Sequence, residues 1–204
     1  MSNKEEYPID VVVTWVDNTD PLWIEEKDKY VSVLESQNPH VGGDNRYQDQ
    51  GLLKYWFRCI EKNMPWINKV YFVTFGHVPS WLNVDCPKIK VVKHSDFISK
   101  EYLPTFNSNA ILLNLHRIPG LQERFIYFND DMFVLKPCKP SMFFKRGLPR
   151  DMSVMNPIAA PDTDPFWDMM LNNIMIINKN FKKKNSIKHN FLKYYSPYYS
   201  FKNI

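Results

Sequence analysis

Two adjacent carboxylates and an amide, Asn129-Asp130-Asp131, stand directly after the apolar run Arg124-Phe-Ile-Tyr-Phe128. A strand that ends this way delivers oxygen ligands to a sheet edge. Such ligands suit Mg2+ or Mn2+. A divalent ion held by one or two carboxylates and completed by diphosphate oxygens is what nucleotide-sugar chemistry uses, because it offsets charge on the leaving phosphate. The same triplet would equally cap a turn or a helix.

Further polar groups fall at other junctions. Asn45-Arg46-Tyr47-Gln48-Asp49 precedes a helical pattern, so a helix N-terminus and the Arg46 guanidinium could together hold a phosphate, or Asp49 could cap that helix. Arg58, on the same helix, suits a substrate contact or a surface ion pair. In Leu103-Pro-Thr-Phe-Asn107-Ser108 the last two residues sit where a helix starts, with His116 and Arg117 near its end. Polar groups at a helix start can cradle phosphate or sugar hydroxyls. His116 either carries a proton near neutral pH or sits where a helix C-terminus favours its charge. Asp17, closing Thr14-Trp-Val-Asp17, could meet a base, a ribose or a metal, or simply form the turn of Asp-Asn-Thr-Asp. The chain has no Walker-type glycine loop, no G-x-G-x-x-G, no G-x-S-x-G and no Cys-x-x-Cys, which argues against P-loop, dinucleotide-binding and serine-hydrolase chemistry.

Short apolar runs at Ile9 to Val16, Lys69 to Phe75, Ile89 to Val92 and Arg124 to Phe128 read as buried strands. Helical patterns lie between them. The first opens at Asp20-Pro21, the second spans about Gly51 to Asn63, and the third about Asn109 to Ile118. This alternation predicts an α/β fold, a mostly parallel sheet with helices on both faces. Ligands of such sheets sit outside the carboxyl ends of the strands. The residues there are polar: Asp17 to Asp20, Gly76-His77, His94-Ser95-Asp96 and Asn129 to Asp131. From Arg146 onward prolines interrupt the pattern, and loops are expected before a last helix around Phe166 to Ile177.

With 204 residues, 44% hydrophobic and 15% aromatic, the chain can bury one sizeable core. A core over 1–145 and an irregular, helical extension over 146–204 are the expected units. The net charge of +4 gathers in a basic tail, Lys179 to Lys193, which reads first as a solvated face. The tail could also touch anionic lipid or an acidic glycan; nucleic acid is not expected. Cys59, Cys86 and Cys138 match neither a disulfide framework nor a zinc motif and read as reduced thiols. A polar N-terminus and the lack of any long apolar stretch point to a cytosolic protein, with the tail as its one peripheral membrane contact.

Ile9-Asp-Val-Val-Val-Thr-Trp-Val-Asp17, Arg46-Tyr-x-Asp49, Lys69-Val-Tyr-Phe-Val-Thr, Leu103-Pro-Thr-Phe-Asn-Ser108, His116-Arg-Ile-Pro-Gly-Leu121 and Tyr127-Phe-Asn-Asp-Asp-Met132 occur in one order. Together they resemble the Stealth family, which comprises bacterial capsular and exopolysaccharide phosphotransferases and the lysosomal N-acetylglucosamine-1-phosphotransferase of animals. The resemblance covers about residues 8 to 140 and implies a nucleotide-sugar-transferase-like fold. It also implies transfer of hexose-1-phosphate from a UDP-sugar-like donor to a polysaccharide or oligosaccharide hydroxyl, releasing a nucleoside monophosphate. Matched residue by residue, it puts Asp130 and Asp131 on metal and diphosphate, Arg46 and Arg117 on phosphate oxygens, and His116 at acceptor or proton handling. Asp17, Asp49, Asn107, Ser108 and Asn129 match other motif positions. Gln48, Gln50, Asn109 and Leu112 depart from the family pattern. Residues from about Asn172, His189 included, resemble the start of a third conserved region, and a fourth is absent. Two other outcomes are a partial, inactive nucleotide-sugar-binding module and an ordinary metal-dependent glycosyltransferase.

Overall fold

The computed structural model of the protein describes residues 7–35, 47, 50–150 and 165–181. Two compact units, Met1–Arg150 and Asp151–Ile204, divide the chain. In the first, four strands form one sheet: β1 (Asp10–Thr14), β2 (Val70–Thr74), β3 (Ile89–Lys93) and β4 (Phe125–Asn129). Their order is β3-β2-β1-β4, and every pairing is parallel. Each falls on one of the predicted apolar runs.

The central strands are apolar on both faces because both faces are covered. Val11, Val13 and Phe72 point to one side, where α2 (Leu53–Asn63) lays down Leu53, Trp56 and Ile60 at helical spacing. Val12, Tyr71 and Val73 point to the other, against Ile111 of α3 (Ser108–Asn114) and the nearby Leu115 and Ile118. Helix α1 (Pro21–Glu35) opens as expected at Asp20, whose Oδ1 accepts the backbone N–H groups of Leu22 and Trp23 at 2.8 and 3.3 Å.

One polar residue inside the core organises the sheet's amino edge. Asp10 is fully buried. It accepts the Asn68 amide at 2.8 Å, the Lys69 N–H at 3.2 Å and the Gln122 N–H at 2.9 Å. It thereby joins the start of β1 to the segments that lead into β2 and β4.

Three details differ from the sequence expectation. The third helix stops at Asn114 and tightens into a 3-10 turn over Leu115–Arg117, because Ile118 precedes Pro119 and is driven to extended backbone. Residues 144 to 149 form a hairpin, β5 (Phe144–Lys145) against β6 (Leu148–Pro149), where irregular chain was expected. Its two central residues, Arg146 at φ 54° and Gly147 at φ 77°, are both left-handed, as a tight hairpin turn needs; an arginine in the first place hides that signal. In the second unit, α4 (Pro165–Asn180) opens with proline in the first turn and runs past both ends of the expected helix. It exposes Ile174, Met175, Ile176 and Ile177. No helix among the described residues is long and apolar enough to cross a membrane. Arg46, Asp49, His189 and the basic tail beyond Phe181 lie outside the described residues, as do the loops expected over 151–164.

Candidate active site at the carboxyl edge of the sheet

The chain steps from β1 to β2 to β3 in one direction and returns to place β4 on the other side of β1. That reversal opens a crevice between the carboxyl ends of β1 and β4, where open α/β sheets bind ligands. Asn129, Asp130 and Asp131 stand there. In register Asn129 faces Thr14, the last residue of β1. The Asn129 carbonyl accepts the Met132 N–H at 3.2 Å, so the two aspartates occupy the middle of a tight turn. Asp131 is exposed and Asp130 half-buried. The chain after the turn is anchored by Asn63, whose amide donates to the Val134 carbonyl, and by Trp66, whose indole N–H donates to the Cys138 carbonyl at 2.7 Å.

A short polar relay backs the turn. Tyr127 and Asn129, two apart on β4, share a face, and the Tyr127 hydroxyl donates to Asn129 Oδ1. Its single proton is thereby used, so Thr14 donates in the 3.1 Å contact between the two hydroxyls. Burial holds the Tyr127 phenol above its usual range; the bond from Thr14 opposes this, and the charges of Asp130 and Asp131 reinforce it. The phenol stays a donor. With its oxygen engaged by Tyr127, the Asn129 amide is left to present N–H groups beside the carboxylates.

The loop after β1 is held from its neighbour strand. Asp17 accepts the Thr19 N–H and hydroxyl at 2.9 and 2.6 Å, while its own N–H donates to His77 Nε2 at 2.8 Å. Because Nε2 accepts, the ring is neutral and carries its proton on Nδ1, which donates to Asp20 Oδ2 at 3.1 Å. Partial burial works to raise the Asp20 carboxyl, but hydrogen bonds from Leu22, Trp23 and His77 outweigh it and hold the group low. Asp17 is therefore a turn former that remains at the site's edge. His77 was visible in the sequence only as a strand-end residue; that its two nitrogens clamp two aspartate segments needs the register of β1 against β2.

Asn107 caps α3, its Oδ1 accepting the Asn109 N–H at 2.9 Å, and Ser108 is exposed in the first turn. The crossover from β3 to β4 runs against the strands, so this helix start faces the carboxyl edge. Its far end does not. His116 and Arg117 follow α3 toward Pro119 and Gly120, whose carbonyls are held by Lys90 and Tyr71 near the amino ends of β3 and β2. Arg117 donates to Asn114 Oδ1 at 3.2 Å, and no contact among the described residues brings either side chain to the aspartate turn. Arg58 lies on the solvent face of α2, over the Tyr55 ring at 5.7 Å.

Two neighbouring carboxylates backed by a rigid strand fit a hard divalent ion. Among the described residues no group of three or more His, Cys, Asp or Glu gathers around one point. Of the described residues, Asp130 and Asp131 are the carboxylates that would hold such an ion.

Comparison with known proteins meets this geometry. The model of Stealth protein conserved region 2 matches residues 46–151 and that of conserved region 1 matches residues 7–32. The chain belongs to the Stealth family. Conserved region 1 thus takes in β1 and most of α1, and conserved region 2 carries the remaining three strands of the Stealth sheet with the aspartate turn. Similar proteins include the capsular polysaccharide phosphotransferase WcwK of Streptococcus pneumoniae, 44% identical over 96% of this chain and 58% of that one. The exopolysaccharide phosphotransferase cps2G of Lactiplantibacillus plantarum is 40% identical over 100% of this chain and 59% of its own. The capsular polysaccharide phosphotransferase CpsJ of Streptococcus thermophilus is 39% identical over 94% and 79%. This Stealth chain therefore spans somewhat over half the length of the first two.

Proposed function

We propose that the chain forms the catalytic core of a sugar-1-phosphate transferase of capsular or exopolysaccharide synthesis, taking hexose-1-phosphate from a UDP-sugar-like donor to a glycan hydroxyl. The observation that carries the reading is the Asn129-Asp130-Asp131 turn at the β1/β4 crevice of a chain whose similar family members are named phosphotransferases. The acceptor oxygen bonds to the phosphorus next to the sugar while that phosphorus loses its bridge to the nucleotide. The acceptor proton is released, and a nucleoside monophosphate leaves.

Such a transfer needs positioning and charge neutralisation more than a covalent nucleophile. Asp130 and Asp131 would hold Mg2+ or Mn2+, which supplies charge neutralisation on the diphosphate. The Asn129 amide is suited to a phosphate or sugar oxygen, and Asn107 and Ser108 to the hydroxyl-bearing end. Arg46 and Asp49 match the family motif and belong to the same proposal, Arg46 on phosphate oxygens; Asp17 borders the donor path.

The test is to incubate the full chain with Mg2+, a panel of UDP- and GDP-sugars and capsule oligosaccharides, and to identify the released nucleotide. Monophosphate released only with acceptor is expected. Diphosphate release would move the chain to the ordinary glycosyltransferases, and donor binding without turnover to a binding module.

A further inference from the structure

A cavity of about 350 Å3 opens at the carboxyl ends of β2 and β3, with Phe75, His94, Ser95, Lys100, Pro104 and Thr105 in its wall. That is near the small end of ligand pockets, room for part of a ligand. We infer that this cavity is the subsite for the planar heteroaromatic base of a nucleotide donor; the inference rests on the donor being a nucleotide-sugar, as proposed above.

The aromatic wall is fixed in advance. Phe75 directly follows β2, with Phe106 stacked on it at 6.4 Å and 24° and His94 edge-on at 6.4 Å and 77°. Phe106 is in turn packed by Trp23 at 5.9 Å and Tyr30 at 6.0 Å, and His94 by Phe97 at 6.5 Å. Rings buttressed by rings lose little freedom when a ligand ring joins them.

The polar part of the wall suits the edge of a base. Burial pushes the His94 imidazole down to about 4, so at neutral pH it offers one donor and one acceptor without charge. Its ring nitrogens make no hydrogen bond among the described residues. Ser95 adds an exposed hydroxyl, and Lys100 an exposed cation. A sugar, with hydroxyls on every side, would need more polar groups than walls of Phe75, Leu103 and Pro104 provide.

Position decides the class. Along the carboxyl edge the order is His94 after β3, Phe75 after β2, Asp17 after β1 and the aspartate turn after β4. Neighbouring strands lie about 4.8 Å apart, so the cavity between β2 and β3 is two spacings, roughly 10 Å, from the crevice between β1 and β4. That gap suits a base in the cavity, a ribose over the β1 loop and a diphosphate at Asp130 and Asp131.

The test compares binding of UDP, UMP and inorganic pyrophosphate, with Mg2+ present, to the full chain and to Phe75→Ala and Phe75→Leu. Stacking of one base contributes about 1–3 kcal/mol. Loss of the ring is therefore expected to weaken UDP and UMP about tenfold or more while pyrophosphate changes less than about twofold. In the unmodified chain, UDP but not pyrophosphate should shift the His94 ring resonances, a readout that survives if a variant misfolds. UDP that binds the unmodified chain without moving His94, or binds the Phe75 variants undiminished, overturns the subsite and leaves the donor reading standing. Failure of every nucleotide tried, UDP, GDP, CDP and ADP, to bind the unmodified chain overturns both.

Discussion

The imidazole of His77 accepts the backbone N–H of Asp17 at 2.8 Å, so the loop that follows β1 is held by a side chain rooted after β2. The other ring nitrogen reaches Asp20, the cap of α1. One ring thus fixes both ends of the Asp17-Asn-Thr-Asp20 turn. In His77→Phe the Asp17 N–H and the inward Asp20 oxygen lose their partner, and unfolding in urea should show a loss of about 1–3 kcal/mol. His77→Gln, which can still accept and donate, should recover part of it. Equal stability of all three proteins would show that water serves the turn as well as the ring does.

Acid should weaken the fold through His94. Its folded value, about 4, lies below the 6.5 of the free side chain. As pH falls the unfolded chain takes up that proton first, so the contribution to stability is intact above pH 6.5 and is lost between 6.5 and 4, on the order of 3 kcal/mol in all. The difference in urea-unfolding stability between pH 7 and pH 4.5 should be smaller in His94→Phe than in the unmodified chain. Equal differences would mean that His94 titrates normally.

Asp130→Asn and Asp131→Asn should each lower metal-dependent turnover by about a hundredfold or more with little change in melting temperature. Neither residue belongs to the core, and the proposed metal needs their charge. Full activity of both variants would remove the metal from the aspartate turn.

His116 gives the opposite expectation. It is exposed after α3, on the side of the helix that leads to Gly120. His116→Gln should keep turnover within about threefold of the unmodified chain. A hundredfold loss would restore the role that family resemblance implies for it.

Much of this architecture is legible without coordinates. Four apolar runs became four parallel strands because a doubly covered sheet needs strands apolar on both faces, and Asp20-Pro21 opened α1 because local capping chemistry suffices there. The aspartate turn was visible for the same local reason. Pairings distant in sequence were not visible. Asp10 reads as an ordinary strand residue until Asn68 and Gln122 arrive to satisfy it, and Phe75 and His94 form a cavity only once β2 and β3 lie side by side. His116 and Ser108 are eight positions apart in sequence, yet the helix between them carries them toward opposite ends of the sheet.

The register of β4 has a consequence for how this edge can vary. Tyr127 meets both Thr14 and Asn129 because 127 and 129 are both odd along a strand whose side chains alternate, while Phe128 between them enters the opposite core. Deleting one residue from β4 would send the phenol into the layer under α2 and an aromatic ring to the relay, a change of parity that no rotamer can repair. Within β4, only changes in steps of two keep the polar groups at their address.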